Sequence, residues 1–223
     1  NKQLAFLQHI YRGLKPGGRA AVVLPDNVLF EAGVGTEVRR DLMDKCNLHT
    51  ILRLPTGIFY AQGVKTNALF FQKGSATDPY QQEGCTQSVW VYDLRTNMPS
   101  FGKRTPFTAA HLTPFEQVYG SDPNGQSPRS EGEYSFTAES DAQQGGELER
   151  SGQPEQGRWR CFSREWLKSS KGDSLDISWL KDKNNIDATD LPEPLDLANE
   201  AKDELEAALA ELQDLVKALE GME

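Results

Sequence analysis

The run from Leu14 to Asn27, LKPGGRAAVVLPDN, is the stretch that most limits what this chain can become. Pro16-Gly17-Gly18 must end any helix arriving at Leu14-Lys15, because proline lacks the N–H and clashes with a carbonyl of the preceding turn. Ala20-Ala21-Val22-Val23-Leu24 then runs apolar, without polar alternation, until Pro25-Asp26-Asn27 stops it. A short run of this kind predicts a strand buried on both faces, as in the middle of a parallel α/β sheet. Ligands of such sheets sit beyond the carboxyl ends of the strands, which puts Pro25, Asp26 and Asn27 on the working edge.

Helix and strand signals alternate around that run. Leu4, Leu7, Ile10, Tyr11 and Leu14 predict an amphipathic helix over residues 3–14. A second helix is predicted over residues 36–45, with Thr36 as its cap and Val38, Leu42 and Met43 on its inner face. Residues 48–54, 66–72 and 88–93 read as strands, rich in β-branched and aromatic side chains. The order helix, strand, helix, strand, strand, strand fits the second half of a doubly wound α/β domain with an antiparallel end.

Beyond residue 119 the composition changes. Residues 120–157 are dominated by Gly, Ser, Gln, Glu and Pro, with few anchors beyond Tyr134, Phe136 and Leu148. Such a segment buries too little apolar surface to offset its ordering entropy and is expected to be a flexible acidic linker. Residues 158–190 regain Trp159, Phe162, Trp166 and Trp179, with a short helix expected at 163–168, and should pack back on the domain of residues 1–119. Residues 191–223 hold a final helix in which Leu205, Leu209, Leu212, Val216 and Leu219 alternate steps of four and three. That narrow seam with acidic flanks suits a coiled-coil-like partner better than the helix's own domain.

The net charge of −9 is uneven: +4 over residues 1–119, −6 over 120–157, zero over 158–195 and −7 over 196–223. A sequence pI near 5 therefore does not exclude a nucleic-acid partner for the first half. Cys46, Cys85 and Cys161 lack C-x-x-C spacing, so neither a metal site nor a disulfide framework is indicated. No run reaches the length of a membrane span and no signal peptide opens the chain, so a reducing, cytoplasmic setting is expected. The chain starts directly in a helical pattern without methionine, as a fragment of a longer protein would.

Chemistry has few places to reside. There is no G-x-G-x-x-G loop or phosphate-binding loop, and His9, His49 and His111 stand apart, so a self-contained hydrolase is unsupported. Asp26 and Asn27 either cap the turn after the strand, the commoner use of such residues, or touch a ligand above the sheet. The connection TGIFYAQGVKTN, residues 56–67, sets Phe59 and Tyr60 between glycines. Such a pair folds under as a plug or faces out as a stacking platform. Facing out beside Gln62, Lys65 and Asn67, it would suit a flat, hydrogen-bonding ligand such as a nucleobase.

At these places the text resembles a known family. LKPGG before a buried strand is widespread in S-adenosylmethionine-dependent methyltransferases, where it leads into the fifth strand. The longer runs are more specific: NKQLAFLQHIYRGLKPGGRAAVVLPDNVLF, CNLHTILRLPTGIFYAQGVKTNALFFQKG, VWVYDLRTNMPSFGKRTPFT, RWRCFSREW and SLDISWLKD. Together they resemble the C-terminal half of the modification (M) subunit of type I restriction-modification systems, adenine-N6 DNA methyltransferases. The likeness covers residues 1–119 and 158–183.

The resemblance implies the C-terminal half of a class I, Rossmann-like sheet, and a target adenine swung out of the duplex at a cost of roughly a few kcal/mol. Related enzymes hold that base with an Asn/Asp-Pro-Pro-Phe/Tyr motif and with a later aromatic before the seventh strand. By position the later aromatic is Phe59, with Tyr60 as runner-up, and Asp26, Asn27, Lys65 and Asn67 fall on the substrate side. The tetrapeptide and a glycine-rich cofactor loop are both missing here. Most of the S-adenosylmethionine site is therefore expected upstream of Asn1, and the chain alone is expected to be inactive. The implied partners are double-stranded DNA, the specificity (S) subunit, a second M subunit and the restriction (R) subunit. A rival reading makes the chain an assembly module that docks on the specificity subunit, or a second M subunit, through the seam from Leu205 to Leu219.

Overall fold

Asn1 starts the first helix, α1 (Lys2–Gly13), by accepting a hydrogen bond from the Gln3 N–H at 3.0 Å. That bond satisfies one of the N–H groups a helix start leaves unpaired. Leu4, Leu7 and Tyr11 form its buried stripe. In this computed structural model residues 1–59, 63–103, 105–131, 157–180 and Leu209 are described. Two compact units are distinguished, Asn1–Asp182 and Lys183–Glu223, and Leu209 of the second is helical and 56% exposed.

The first unit continues with β1 (Arg19–Pro25), α2 (Asn27–Phe30), α3 (Val34–Lys45), β2 (Cys46–Leu54), β3 (Thr66–Lys73) and β4 (Ser88–Asp93). A 3-10 turn at Ala109–Leu112, α4 (Thr113–Tyr119), β5 (Trp159–Ser163) and α5 (Arg164–Lys171) complete it. Helix α3 starts earlier than expected, with Gly33 rather than Thr36 at its cap. The Thr36 hydroxyl instead accepts from Arg39 at 3.2 Å. Ser163 caps α5, accepting from the Trp166 N–H.

The five strands form one mixed sheet in the order β1-β3-β2-β4-β5. Strand β3 is antiparallel to both β1 and β2, β4 is parallel to β2, and β5 is antiparallel to β4. One expectation is overturned. Strand β1 is an edge strand of this sheet, and its faces alternate, with Ala21 exposed and Val23 half exposed. The strand buried at all nine positions is β2, in the middle of the sheet, although it carries Asn47, His49, Thr50 and Arg53. Position in the sheet, more than an unbroken apolar run, decides which strand loses water on both faces.

On one face α1, α3 and α5 close a core of Leu7, Leu24, Leu42, Leu48, Leu69 and Phe162. On the other, α4 covers Leu52, Tyr92 and Trp159 through Phe115 and Val118. Buried Arg39 joins α3 to its neighbours, donating to the carbonyls of Val28, Glu31 and Asp173 at 2.8–3.0 Å. Asp173, also buried, takes Arg40 and Arg164 as partners.

The packed region extends beyond residue 119. Residues 120–131, placed by composition at the start of a linker, lie against the sheet. Arg129 donates to the Thr50 hydroxyl at 3.1 Å and stacks over Tyr119 and Trp159. Gly125 packs on His49, the extra residue of a bulge between Leu48 and Thr50, so closely that a Cβ would sit 2.4 Å from the ring. The Glu131 carboxylate accepts from the Cys161 N–H of β5. Residues 132–156, Tyr60, Gln62 and the seam residues Leu205, Leu212, Val216 and Leu219 lie outside the described residues.

Candidate functional site

Because β1, β2 and β4 run the same way and β3 runs against them, Pro25, Leu54, Asp93 and Thr66 share one edge of the sheet. The register agrees, since Pro25 and Leu54 both pair with Thr66, and Arg53 pairs with Asp93. Asp26 and the described parts of the connecting loop, residues 55–59 and 63–65, lie at that edge, with Asn67 one residue inside it in β3.

Asp26 stands at the cap position of α2 but makes no side-chain cap bond. Its carboxylate is held from two sides instead. Arg95 grips it in a fork, at 2.8 and 2.9 Å, and the Asn67 carboxamide donates to it at 2.6 Å. The same guanidinium donates to the Leu54 carbonyl at 2.9 Å and the Thr66 carbonyl at 2.7 Å. Neither earlier alternative for Asp26, turn cap or free ligand contact, describes this arrangement. Asn27 is half-buried, and its side chain has no hydrogen-bond partner among the described residues.

Arg95 itself is positioned by Asp93. That carboxylate is fully buried and accepts from the backbone N–H groups of Arg95 and Thr96, both at 2.8 Å, and from Arg53 at 2.9 Å. Burial alone would raise its pKa, but Arg53 and the Thr96 contacts outweigh burial and hold it below the ordinary value. Both carboxylates at this edge are therefore charge-paired scaffold rather than open bases.

The loop between β2 and β3 leaves from Leu54 and returns at Thr66. Gly57 adopts φ +81°, and a Cβ there would lie 1.9 Å from the Phe101 carbonyl oxygen, so only glycine fits. Phe101 closes the contact by donating its N–H to the Thr56 carbonyl at 3.0 Å. Ile58 packs against the second core, while Phe59 faces outward, 45% exposed. In this loop Ile58 is the apolar anchor and Phe59 stays at the surface. Lys65 is exposed, and its carbonyl accepts from the Asp26 N–H at 3.0 Å.

The structure thus brings Asp26, Asn27, Asn67, Phe59 and Lys65 to one edge and adds Arg95, which the sequence reading missed. The signal was present: with residues 88–93 read as a strand, Arg95 falls just past its end. Of the histidines, His49 is buried at the opposite end of β2, and His111 bonds Thr108 within its own turn. Among the described residues no cluster of three or more His, Cys, Asp or Glu could hold a metal. Nor do these residues fit S-adenosylmethionine by themselves, since the Asp26 and Asp93 carboxylates are engaged by Arg95, Asn67 and Arg53.

Residues 1–149 match the family described as N-6 DNA Methylase. The chain is 67% identical over 221 residues to the type I restriction enzyme StySJI methylase subunit of Salmonella typhimurium, covering 98% of this chain and 42% of that protein. It is 66% identical, with the same coverage, to the EcoKI methylase subunit of Escherichia coli K12. The crystal structure of the type I restriction enzyme EcoKI M protein matches with a TM-score of 0.73 at 62% identity, over 98% of this chain and 44% of that one. The chain spans less than half the length of the relatives it matches. Similar at two-thirds identity to type I restriction enzyme methylase subunits along nearly its whole length, this chain belongs, by the family match, to the N-6 DNA methylase family.

Proposed function

We propose that this chain is the C-terminal part of an adenine-N6 DNA methyltransferase subunit and supplies one wall of the pocket for a flipped-out adenine. The full subunit would draw the methyl group from S-adenosylmethionine bound mostly outside this chain, so the chain alone would be inactive. The observation that carries the reading is Phe59, exposed on a loop whose base is pinned at the carboxyl edge of the sheet. A ring held there can stack on a base, a contact worth roughly 1–3 kcal/mol. Asn27 offers a carboxamide at the same edge of the sheet, and Lys65 a cation for the DNA backbone. Asp26 and Asn67 serve the pocket by fixing its edge. The sheet itself would be the C-terminal half of a Rossmann-like domain, with the open side of β1 receiving the strands that precede Asn1.

The test is Phe59→Ala in the full-length subunit, assayed for methyl incorporation into target DNA. Activity is expected to fall about 10- to 100-fold, as loss of one stacking contact implies, with little change in thermal stability. Methylation retained within about twofold, together with abolition by Tyr60→Ala, would assign the stacking to Tyr60 instead.

A docking contribution stands beside this reading, supported by Leu209, helical and exposed with its apolar side chain uncovered. In that role the seam of Leu205, Leu209, Leu212, Val216 and Leu219 meets the specificity subunit or a second M subunit, in a complex that also includes the restriction subunit and double-stranded DNA.

A further inference from the structure

We propose that Arg95 is a positioning residue that sets where the Phe59 ring can reach, by fixing both feet of the loop that carries it. The inference rests on the reading of Phe59 as the stacking aromatic and adds the part that aims it. The loop's feet are Leu54, the last residue of β2, and Thr66, the first of β3. Arg95 donates to the carbonyls of both, Nε to Leu54 at 2.9 Å and Nη2 to Thr66 at 2.7 Å. Its remaining edge closes on Asp26, two residues beyond the last apolar residue of β1. One planar group therefore ties together the ends of three strands at the height where their ladders stop.

Two features make this a clamp rather than a nucleic-acid contact. The Arg95 side chain is only 10% exposed, and its donors are committed to acceptors on four residues within the protein, Leu54, Asp26, Thr66 and Asn67. A phosphate would have to displace Asp26 to reach it. The fork also cannot be copied by lysine, whose ammonium is a point donor without the planar spread. Asp26 is the counterpart: its N–H donates to the Lys65 carbonyl, so the carboxylate that orients Arg95 also belongs to the residue that holds the loop's returning arm.

The experiment uses the full-length subunit assembled with its partners, with Arg95→Lys, Asp26→Asn and the double variant, and Phe59→Ala in parallel. Hydrogen exchange of residues 55–65 reads the clamp without reference to activity. Each single variant should speed exchange there about tenfold or more, while the interior of β2 and β4 stays protected. At saturating DNA, kcat should fall about tenfold, with the affinity for DNA and its salt dependence unchanged, and the double variant should be no worse than either single one. Unchanged exchange in the loop would overturn the proposal, as would a loss confined to DNA affinity with a shallower salt slope, which marks a phosphate contact. If Phe59→Ala leaves methylation unaltered while the loop loosens as expected, the clamp stands and the stacking assignment fails.

Discussion

His49 shows how far burial can move a single side chain from its ordinary chemistry. It is the bulged residue of the central strand, 4% exposed, with Gly125 against its ring and Thr50 bonded to Nδ1. Burial, helped by the nearby Arg129 charge, pushes its pKa down to about 4, so the ring is neutral in the folded protein near pH 7. In the unfolded chain it takes up a proton near pH 6.5. The stability it contributes is therefore complete above that value and declines as pH falls towards 4, by about 1.4 kcal/mol per unit. Urea unfolding of wild type and His49→Gln between pH 6.5 and 4.5 should show a pH slope shallower by about one proton in the variant. Equal slopes would mean that another group titrates in this window. Nothing in the sequence around His49 announces this, because the residues that bury it, Gly125 and Arg129, are distant in the chain. Arg95 differs in this respect. Its place after a predicted strand end made it locatable, but its fork onto Asp26 depends on the sheet order, which no local pattern reveals.

Strands and helices were legible where their own residues determine them. Residues 88–93 coincide with β4, and α1 and α3 lie within a few residues of their predicted bounds. Strand β5 was missed because Trp159, Cys161 and Phe162 read as a generic aromatic cluster until β4 supplies the partner. The four-residue α2 was missed because so short a helix has no period. The misjudged burial of β1 has a physical consequence that can be measured. In an antiparallel pair, alternate N–H groups of an edge strand face away from the partner. In the 223-residue chain, alternate amides of β1 should exchange about a hundredfold faster than those directed at β3. In the full-length subunit, the proposed completion of the sheet should protect both sets. Persistence of the alternation there would rule out a strand paired along that edge.

The molecule as a whole joins a packed unit of α/β layers to an acidic second unit, and the proposed division of labour follows that division. The first carries the edge with Phe59, Asp26 and Arg95, and the second carries the leucine seam. Replacing Leu209 and Leu212 by Glu should abolish co-purification with the specificity subunit while leaving the thermal stability of the first unit within about 0.5 kcal/mol, since both residues belong to the second unit. Unchanged co-purification would exclude the seam from assembly with that subunit. The strand order has one more effect, on the ribosome. Strand β3 lies between β1 and β2, so those two strands share no hydrogen bond with each other. A nascent chain that has not yet reached Thr66 holds β1 and β2 with no ladder between them, and the edges they keep for β3 stay with water or a chaperone. Eight residues, Thr66–Lys73, then close both ladders in turn. Translation that stops before them leaves β2 unjoined to β1, and translation that passes them draws three separate segments into one sheet.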